Sequence, residues 1–421
     1  MAKKRTIKLQ IHPLQMLVAF LLIMLPVSLV LEVRFGIGGV NYFDEIIGIL
    51  SIVCIVITAI TTQLKRYDIF ITVMVSLCAI IGVAGNLAYN LIDDWFPIAV
   101  DALCLFKVFL PFVVMKYIGQ ADKEMYIIRY MQPFAKMLIL VSSFFGVINQ
   151  FVYIGMGASK RYGIRAFYFI FNNEARFGYI IACCMLIILL LEKNKIKEIF
   201  YCVLCIFNMI LTTKGVVYIV VVCFFAFMIM WRKTNKMTVA QTIPLGIAGT
   251  VVSTLQINTY LRDYNSPRVR FIRYGFKTAN EYFPLGSGFA TYGSDMAAKN
   301  YSALYYRYNF HRQYGLSPKE NMFLNDCYLG MIIGQFGYIG AFIFAVILIA
   351  MFIPINRINL IKPAKAMTLS LFIGIVASSI GTAIIKSSIG VFVMAMIGLM
   401  CGYSDYNSKK EYTGTRLNIH F

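Results

Sequence analysis

Long apolar runs constrain this chain more than any other sequence feature. Runs of roughly 17 to 25 mainly apolar residues recur along it, and about 20 are needed for a helix to cross roughly 30 Å of hydrocarbon. Backbone polar groups inside a bilayer must bond within the chain, which favours helices. Only 14% of residues are charged, against about 25% in soluble domains. The sequence therefore predicts an all-α integral membrane protein.

The apolar runs predict about twelve transmembrane helices in a single polytopic membrane domain, residues 1–421. Between the ninth and tenth spans lies one long polar segment, residues 258–321, which we predict to be a large extracytoplasmic loop carrying part of the active site. The approximate bounds of the spans are 14–33, 44–62, 69–86, 96–115, 137–155, 177–191, 199–213, 215–231, 238–257, 322–354, 365–385 and 387–403.

The placement of basic residues predicts how the chain lies in the membrane. A net charge of +20 could indicate a nucleic-acid partner. However, a little over half of the 39 Lys and Arg fall in the terminal segments and in the connections that follow even-numbered spans. Lys and Arg are enriched in cytoplasmic loops. Both termini are therefore predicted to be cytoplasmic, and no nucleic-acid partner is expected.

Two connections on the predicted outer side are rich in basic residues, which opposes this topological preference. The loop after the fifth span carries Lys160, Arg161, Arg165 and Arg176. Loop 258–321 carries nine basic residues, four acidic residues and ten tyrosines. The basic residues could be ordinary solvated loop charges. Phosphate binding is the favoured interpretation, since the planar guanidinium of Arg matches phosphate oxygens.

Two charged residues, Asp101 and Lys107, fall within the fourth predicted span. A lone Lys near the bilayer centre costs about 2.5–3.5 kcal/mol on insertion scales. We therefore expect Lys107 to face the protein interior or a wet cavity, either in a structural ion pair or as a substrate contact.

The candidates for acid–base chemistry lie near the end of the long loop. Asp326 stands where the loop meets the tenth span, so partial burial could raise its pKa toward a value useful for a general base. The alternative role is an N-cap of that span. Glu320 and His311 are the reserve candidates. No metal or cofactor is expected, because the chain has three His and neither a metalloprotease nor a nucleotide-binding motif. Gly286-Ser287-Gly288 is interpreted as a tight turn that lets the backbone approach a ligand.

Four local patterns occur in order between Arg161 and Gly340. They are Arg161-Tyr162-Gly163 with Arg165 and Asn172-Asn173-Glu174-Ala175; Thr212-Thr213-Lys214-Gly215; Arg268, Arg270 and Arg273 followed by Pro284-Leu285-Gly286-Ser287-Gly288; and Asp326-Cys327-Tyr328-Leu329 followed by Gly337-Tyr338-Ile339-Gly340.

In these patterns the chain resembles the O-antigen and capsule polymerases (Wzy-type) and the related O-antigen ligases. It departs from the family at Lys214, where the family has Arg, and at Cys327, where it has Asn or Ser. Asp326 occupies the position at which ligases carry His, which favours the polymerases.

The resemblance implies a GT-C-type membrane glycosyltransferase in the bacterial cytoplasmic membrane, using no metal or cofactor. It would transfer a glycan from undecaprenyl diphosphate to the next lipid-linked repeat unit on the outer face. The partners it implies are the lipid-linked oligosaccharide, membrane lipid, a chain-length regulator and a flippase. Alternatives are an O-antigen-type ligase and, from another class, a transporter or flippase of lipid-linked oligosaccharide, which Asp101 and Lys107 would suit.

The resemblance also implies roles for individual residues. Asp326 would lie beside the acceptor hydroxyl, as a base or as an orienting group. The loop tyrosines could stack on sugar rings or anchor the loop at the membrane interface. The diphosphate would be held by basic residues of the motifs, namely Arg161, Arg165, Lys214, Arg268, Arg270 and Arg273.

Overall fold

The computed structural model describes residues 12–61, 64–161, 163–231 and 266–416. The predicted ninth span, 238–257, and the first residues of the long loop, including Arg262 and Asp263, lie outside these ranges.

The other eleven predicted spans each coincide with a helix, because each apolar run ends at polar, Gly or Pro residues that leave the bilayer. The helices are α1 (Pro13–Phe35), α2 (Phe43–Thr61), α3 (Arg66–Tyr89), α4 (Trp95–Ala121), α5 (Tyr126–Phe151), α6 (Glu174–Leu191), α7 (Lys195–Leu211), α8 (Gly215–Met230), α12 (Tyr328–Asn356), α13 (Lys362–Ser378) and α14 (Ser388–Arg416).

Within the described residues, eight helices are long and apolar enough to cross a membrane: α1 to α6, α12 and the Ser388–Asp405 part of α14. The shorter helix α8 is also apolar. Large apolar side chains such as Ile60, Ile80 and Phe144 are exposed on the outer helices, as expected of a lipid-facing surface. This part of the chain is thus a largely helical bundle of membrane-spanning character.

A β-hairpin interrupts the helical pattern and was not predicted. Strands β1 (Gly157–Arg161) and β2 (Ile164–Phe167) pair antiparallel, with Lys160 opposite Arg165. Gly163 adopts φ +78° in the connecting turn, which glycine allows without strain. The charged residues of this segment made it resemble an irregular loop.

The centre of the bundle is built from α4, α6 and α14. Close approach of α4 and α14 depends on small residues, a common device in membrane helices. A Cβ atom at Gly398 would lie 2.2 Å from the backbone oxygen of Phe112, and one at Gly402 would lie 2.3 Å from that of Lys116. Helices α1, α2, α3 and α5 lie further out.

The long loop contains short helices with their own aromatic core. Helix α9 (Pro267–Glu281) is followed by α10 (Asp295–Lys299) and α11 (Ala303–Arg307). These helices enclose a second hydrophobic cluster that includes Phe271, Tyr282, Tyr292, Tyr301, Tyr305, Tyr308 and Phe310. The role of sugar stacking proposed for the loop tyrosines therefore does not apply to these buried residues.

Residues 286–294 form a continuous buried segment that enters the bundle. Its backbone bonds are supplied by two helices. Asn86 of α3 accepts from the Phe289 amide at 2.7 Å and donates to the Phe289 carbonyl at 2.9 Å. Asp101 of α4 accepts from the Ala290 amide at 2.8 Å. These polar side chains satisfy a buried backbone that would otherwise be costly.

The same segment fills a break in α12. Gly337 has φ 63° and ψ −164°, which interrupts the helical bonding. The carbonyls of Gly334 and Gln335 instead accept from the amides of Ser287 and Gly288, at 3.0 and 2.9 Å. Our interpretation of Gly286-Ser287-Gly288 as a ligand-facing turn was therefore wrong. These glycines allow close approach to α12 and α3.

Replacing Gly288 with Ala is expected to lower the free energy of unfolding by roughly 2–4 kcal/mol. Gly288 has φ +88°, and its Cβ would lie 2.6 Å from the backbone nitrogen of Asn86. Gly155→Ala is a matched control, since Gly155 has φ +76° but no atom within 4 Å of its Cβ position. The control should lose only about 1–2 kcal/mol. Thermal unfolding in detergent measures both, and equal losses would contradict the packing account.

Candidate active site at one end of the bundle

A cavity of about 570 Å³ opens at the end of the bundle where α2, α4, α6, α8 and α14 begin. This volume is within the range of about 300–1,000 Å³ that is usual for ligand sites. Several helix N-termini converge on it, and their partial positive charge favours an anion. Residues 286–294 support its base, because Asp101 both lines the cavity and binds the Ala290 amide.

The cavity is lined by charges of both signs. Its basic residues are Lys107, Arg176, Lys214, Arg268, Lys299 and Lys386. Its acidic residues are Glu32, Asp44, Glu45, Asp101, Asp295 and Asp326. A site with balanced charges of this kind can bind an anion at its cations and still offer a carboxylate to a hydroxyl group.

Asp326 and Arg268 form an ion pair at the cavity. The Arg268 Nε donates to Asp326 Oδ2 at 2.9 Å, and Nη2 donates to the same oxygen at 2.5 Å. Asp326 thus orients the guanidinium. The N-cap of α12 is Cys327, whose side chain makes no capping bond, so the alternative role of Asp326 as the N-cap was wrong.

Two further sequence motifs meet at the cavity through helix N-termini. Asn173 caps α6 by accepting from the amides of Ala175 and Arg176, at 3.0 and 3.1 Å. Lys214 is the N-cap residue of α8, and its ammonium lies 3.5 Å from Glu174. The cap at Asn173 also places the Arg176 side chain on the cavity wall.

Both intramembrane charges line the cavity, but they do not pair with each other. Lys107 Nζ lies 2.7 Å from Asp44 and 2.6 Å from Glu45, at the start of α2. Asp101 accepts from Ala290 and from Gln335, the latter at 3.1 Å. Of the two roles expected for Lys107, the structure shows the ion pair.

The three loop arginines do not act as one group. Each residue of a helix advances about 100°, so Arg270 and Arg273 point about 160° and 140° away from Arg268 around α9. Arg268 shares the side of the helix that buries Phe271 and packs Gly275 against Gly330. Arg270 and Arg273 do not line the cavity, and Arg273 is exposed.

Four other predicted site residues also lie away from the cavity. Arg161 and Arg165 belong to the hairpin, where Arg165 donates to the Asn149 carbonyl at 2.6 Å. Glu320 is exposed, and its amide donates to Ser317 at 3.1 Å. The His311 ring packs near Tyr306, with centroids 5.5 Å apart.

Sequence reasoning missed Arg176, Asp295 and Lys386 as site residues. Arg176 was counted among the outer basic residues without a role of its own. Lys386 is an isolated Lys between two apolar spans on the predicted outer side, and that unusual position was the available signal. Asp295 carried no local signal, because only the folding of the loop brings it to Lys386, at 3.0 Å.

The structure brings Asp326, Arg268 and Lys214 together with Asp101 and Lys107 of α4. Among the described residues, no group of three or more His, Cys, Asp or Glu side chains is arranged to hold a metal ion.

The chain matches no protein-family model and no curated protein. The resemblance to the polymerases and ligases therefore rests on the motif residues alone.

Proposed function

We propose that this chain is a polysaccharide repeat-unit polymerase, a glycosyltransferase that moves a growing glycan from undecaprenyl diphosphate to the next lipid-linked repeat. The observation that carries the proposal is the single cavity in which Arg176, Lys214 and Arg268 lie with the carboxylates Asp326 and Asp295. Three cations at helix N-termini suit a diphosphate, and the carboxylates suit an acceptor hydroxyl.

The position of the cavity supports a reaction on the outer face. It lies among the odd-numbered connections, whereas most basic residues of the even-numbered connections fall at the other end of the bundle. By the positive-inside rule, the end with the cavity is extracytoplasmic. Nucleotide sugars are absent from that compartment, so a lipid-linked donor fits the location.

One feature favours a transporter, namely the broken helix α12, since transporters bind ions at unwound helices. Here, however, the carbonyls of Gly334 and Gln335 at the break already accept from Ser287 and Gly288. No ion is needed to satisfy them. The break in α12 therefore serves to bind the loop. It does not by itself indicate ion-coupled transport.

Deleting the gene in its native bacterium tests the proposal. Single lipid-linked repeats should accumulate on the outer face of the membrane, and long glycan chains should disappear. Accumulation on the cytoplasmic face would instead indicate a flippase. Full-length glycan retained on its lipid carrier would indicate a ligase. Full-length glycan in normal amount, released from its lipid carrier as in the parent strain, would contradict all three functions.

A further inference from the structure

A small chamber adjoins the cavity and shares Asp101, Cys104, Asp295 and Lys386 with it. Its volume is about 10 Å³, which is room for one water-sized group. A hydroxyl group fits this space, but a sugar ring or a phosphate does not. The two carboxylates also disfavour an anion. The remaining polar lining consists of Ser294, Tyr328 and Gln335.

Of the carboxylates that form ion pairs at the cavity, Asp295 has the most exposed side chain. Its side chain is 53% exposed, against 27% for Asp326. Asn325 donates to Asp295 Oδ1 at 2.5 Å and fixes its orientation. Asp326 is held by Arg268, whose two bonds both fall on Oδ2. By exposure, Asp295 is the more accessible of these two carboxylates to a substrate hydroxyl.

Lys386 is buried next to Asp295 with unused hydrogen-bonding capacity. Its side chain is 6% exposed, and Nζ lies 3.0 Å from Asp295 Oδ2. Beyond this ion pair, Nζ has no hydrogen-bond partner among the described residues. A buried ammonium has three donors, and leaving any of them unsatisfied is costly. A ligand oxygen in the chamber would satisfy them.

The ionisation of Asp295 is compatible with proton acceptance. Desolvation by the surrounding protein acts to raise its pKa, but the charge of Lys386 and the hydrogen bonds from Asn325 and Lys386 outweigh desolvation, so the pKa lies below its ordinary value. Asp295 is therefore ionised at neutral pH, and its carboxylate oxygens can accept a hydrogen bond from a hydroxyl group.

We propose that Asp295 and Lys386 form the acceptor subsite of this enzyme, in which Lys386 holds the acceptor hydroxyl oxygen and Asp295 takes its proton. The inference rests on the proposed function and assigns its general base. The acceptor O–H bond breaks, and its proton passes to Asp295. The oxygen bonds to the anomeric carbon of the donor, whose bond to the diphosphate breaks, and the electron pair leaves on the diphosphate oxygen.

In this arrangement the other charged residues have separate roles. Arg176, Lys214 and Arg268 stabilise the charge that develops on the leaving diphosphate. Asp326 is a positioning residue, which acts by holding the Arg268 guanidinium at the cavity. Replacing Asp326 with Asn should therefore weaken diphosphate binding, whereas replacing Asp295 with Asn should leave that binding intact.

The test uses the purified full-length protein in nanodiscs, with lipid-linked oligosaccharide extracted from the deletion strain. Asp295→Asn should slow transfer by about 100-fold or more, in the range of general base catalysis. Its affinity for undecaprenyl diphosphate should stay within about twofold of the wild type. Asp295→Glu, which keeps the carboxylate, should restore part of the rate. Lys386→Met should also slow transfer, without changing the affinity for undecaprenyl diphosphate.

If the transfer rate of Asp295→Asn is within tenfold of the wild-type rate, the inference is overturned. A parallel loss of undecaprenyl diphosphate binding in this variant would overturn it too, since Asp295 would then support the donor site or the fold. A wild-type protein that neither binds undecaprenyl diphosphate nor extends the extract would instead contradict the proposed function. Failure of the proposed function can thus be distinguished from failure of the inference, because it is measured on the wild-type protein alone.

Discussion

Replacing Arg268 with Ala is expected to reduce glycan transfer by at least about 100-fold, equivalent to about 3 kcal/mol. Arg268 is the basic residue of α9 that lines the cavity, and its side chain is only 21% exposed. The variant removes a phosphate-binding guanidinium and also leaves the Asp326 carboxylate without its arginine. Arg268→Lys should recover little activity, because an ammonium lacks the planar fork.

Arg273→Ala is the matched control for Arg268→Ala. It removes the same side chain from the same helix, but from the exposed side that faces away from the cavity. Its transfer rate and its affinity for undecaprenyl diphosphate should stay within about twofold of the wild type. Equal losses in the two variants would show that the charge of the loop as a whole, and not the placement of Arg268, determines binding.

Replacing Arg176 with Gln should weaken undecaprenyl diphosphate binding by about 100-fold, or about 3 kcal/mol. The Arg176 guanidinium lines the cavity at the start of α6 and forms no ion pair with another described residue. A partly buried cation of this kind is stabilised by an anionic ligand. Because the variant breaks no internal ion pair among these residues, we expect the ligand-free protein to keep or increase its thermal stability.

Thermal unfolding with and without undecaprenyl diphosphate separates the two effects. The wild type should be stabilised by the lipid, as any ligand that binds the folded state stabilises it. Arg176→Gln should lose that stabilisation, whereas Arg161→Gln, on the hairpin away from the cavity, should retain it. A destabilised ligand-free Arg176→Gln protein would indicate a structural role instead.

The helical bundle was predictable because lipid-facing helices carry their signal in local composition. Eleven of the twelve predicted spans coincide with helices to within a few residues at most ends, since a long apolar run has few other stable conformations in a bilayer. The motif residues Arg268, Lys214 and Asp326 were also found, and the structure brings them to one cavity. Lys214 and Asp326 lie at the starts of apolar helices, where a change between polar and apolar sequence is visible.

The rest of the site depends on contacts between distant parts of the chain. Arg270 and Arg273 were grouped with Arg268 because the segment was interpreted as a loop, whereas a helix sends neighbouring residues in different directions. The partners of Lys107 are more than 60 positions away, on α2. Asp295 and Lys386 are brought together only by the folded loop. No local pattern encodes such pairings.

Residues 286–294 bind the backbone at the break in α12, and this contact has a consequence for biosynthesis. These residues leave the ribosome before the Gly334 and Gln335 carbonyls that receive them. The nascent loop must therefore wait until the later helices have been made and can accept it. Asp295, directly after this segment, reaches Lys386 only when the last helices are in place, so a half-made polypeptide would have its early helices but not the Asp295–Lys386 pair.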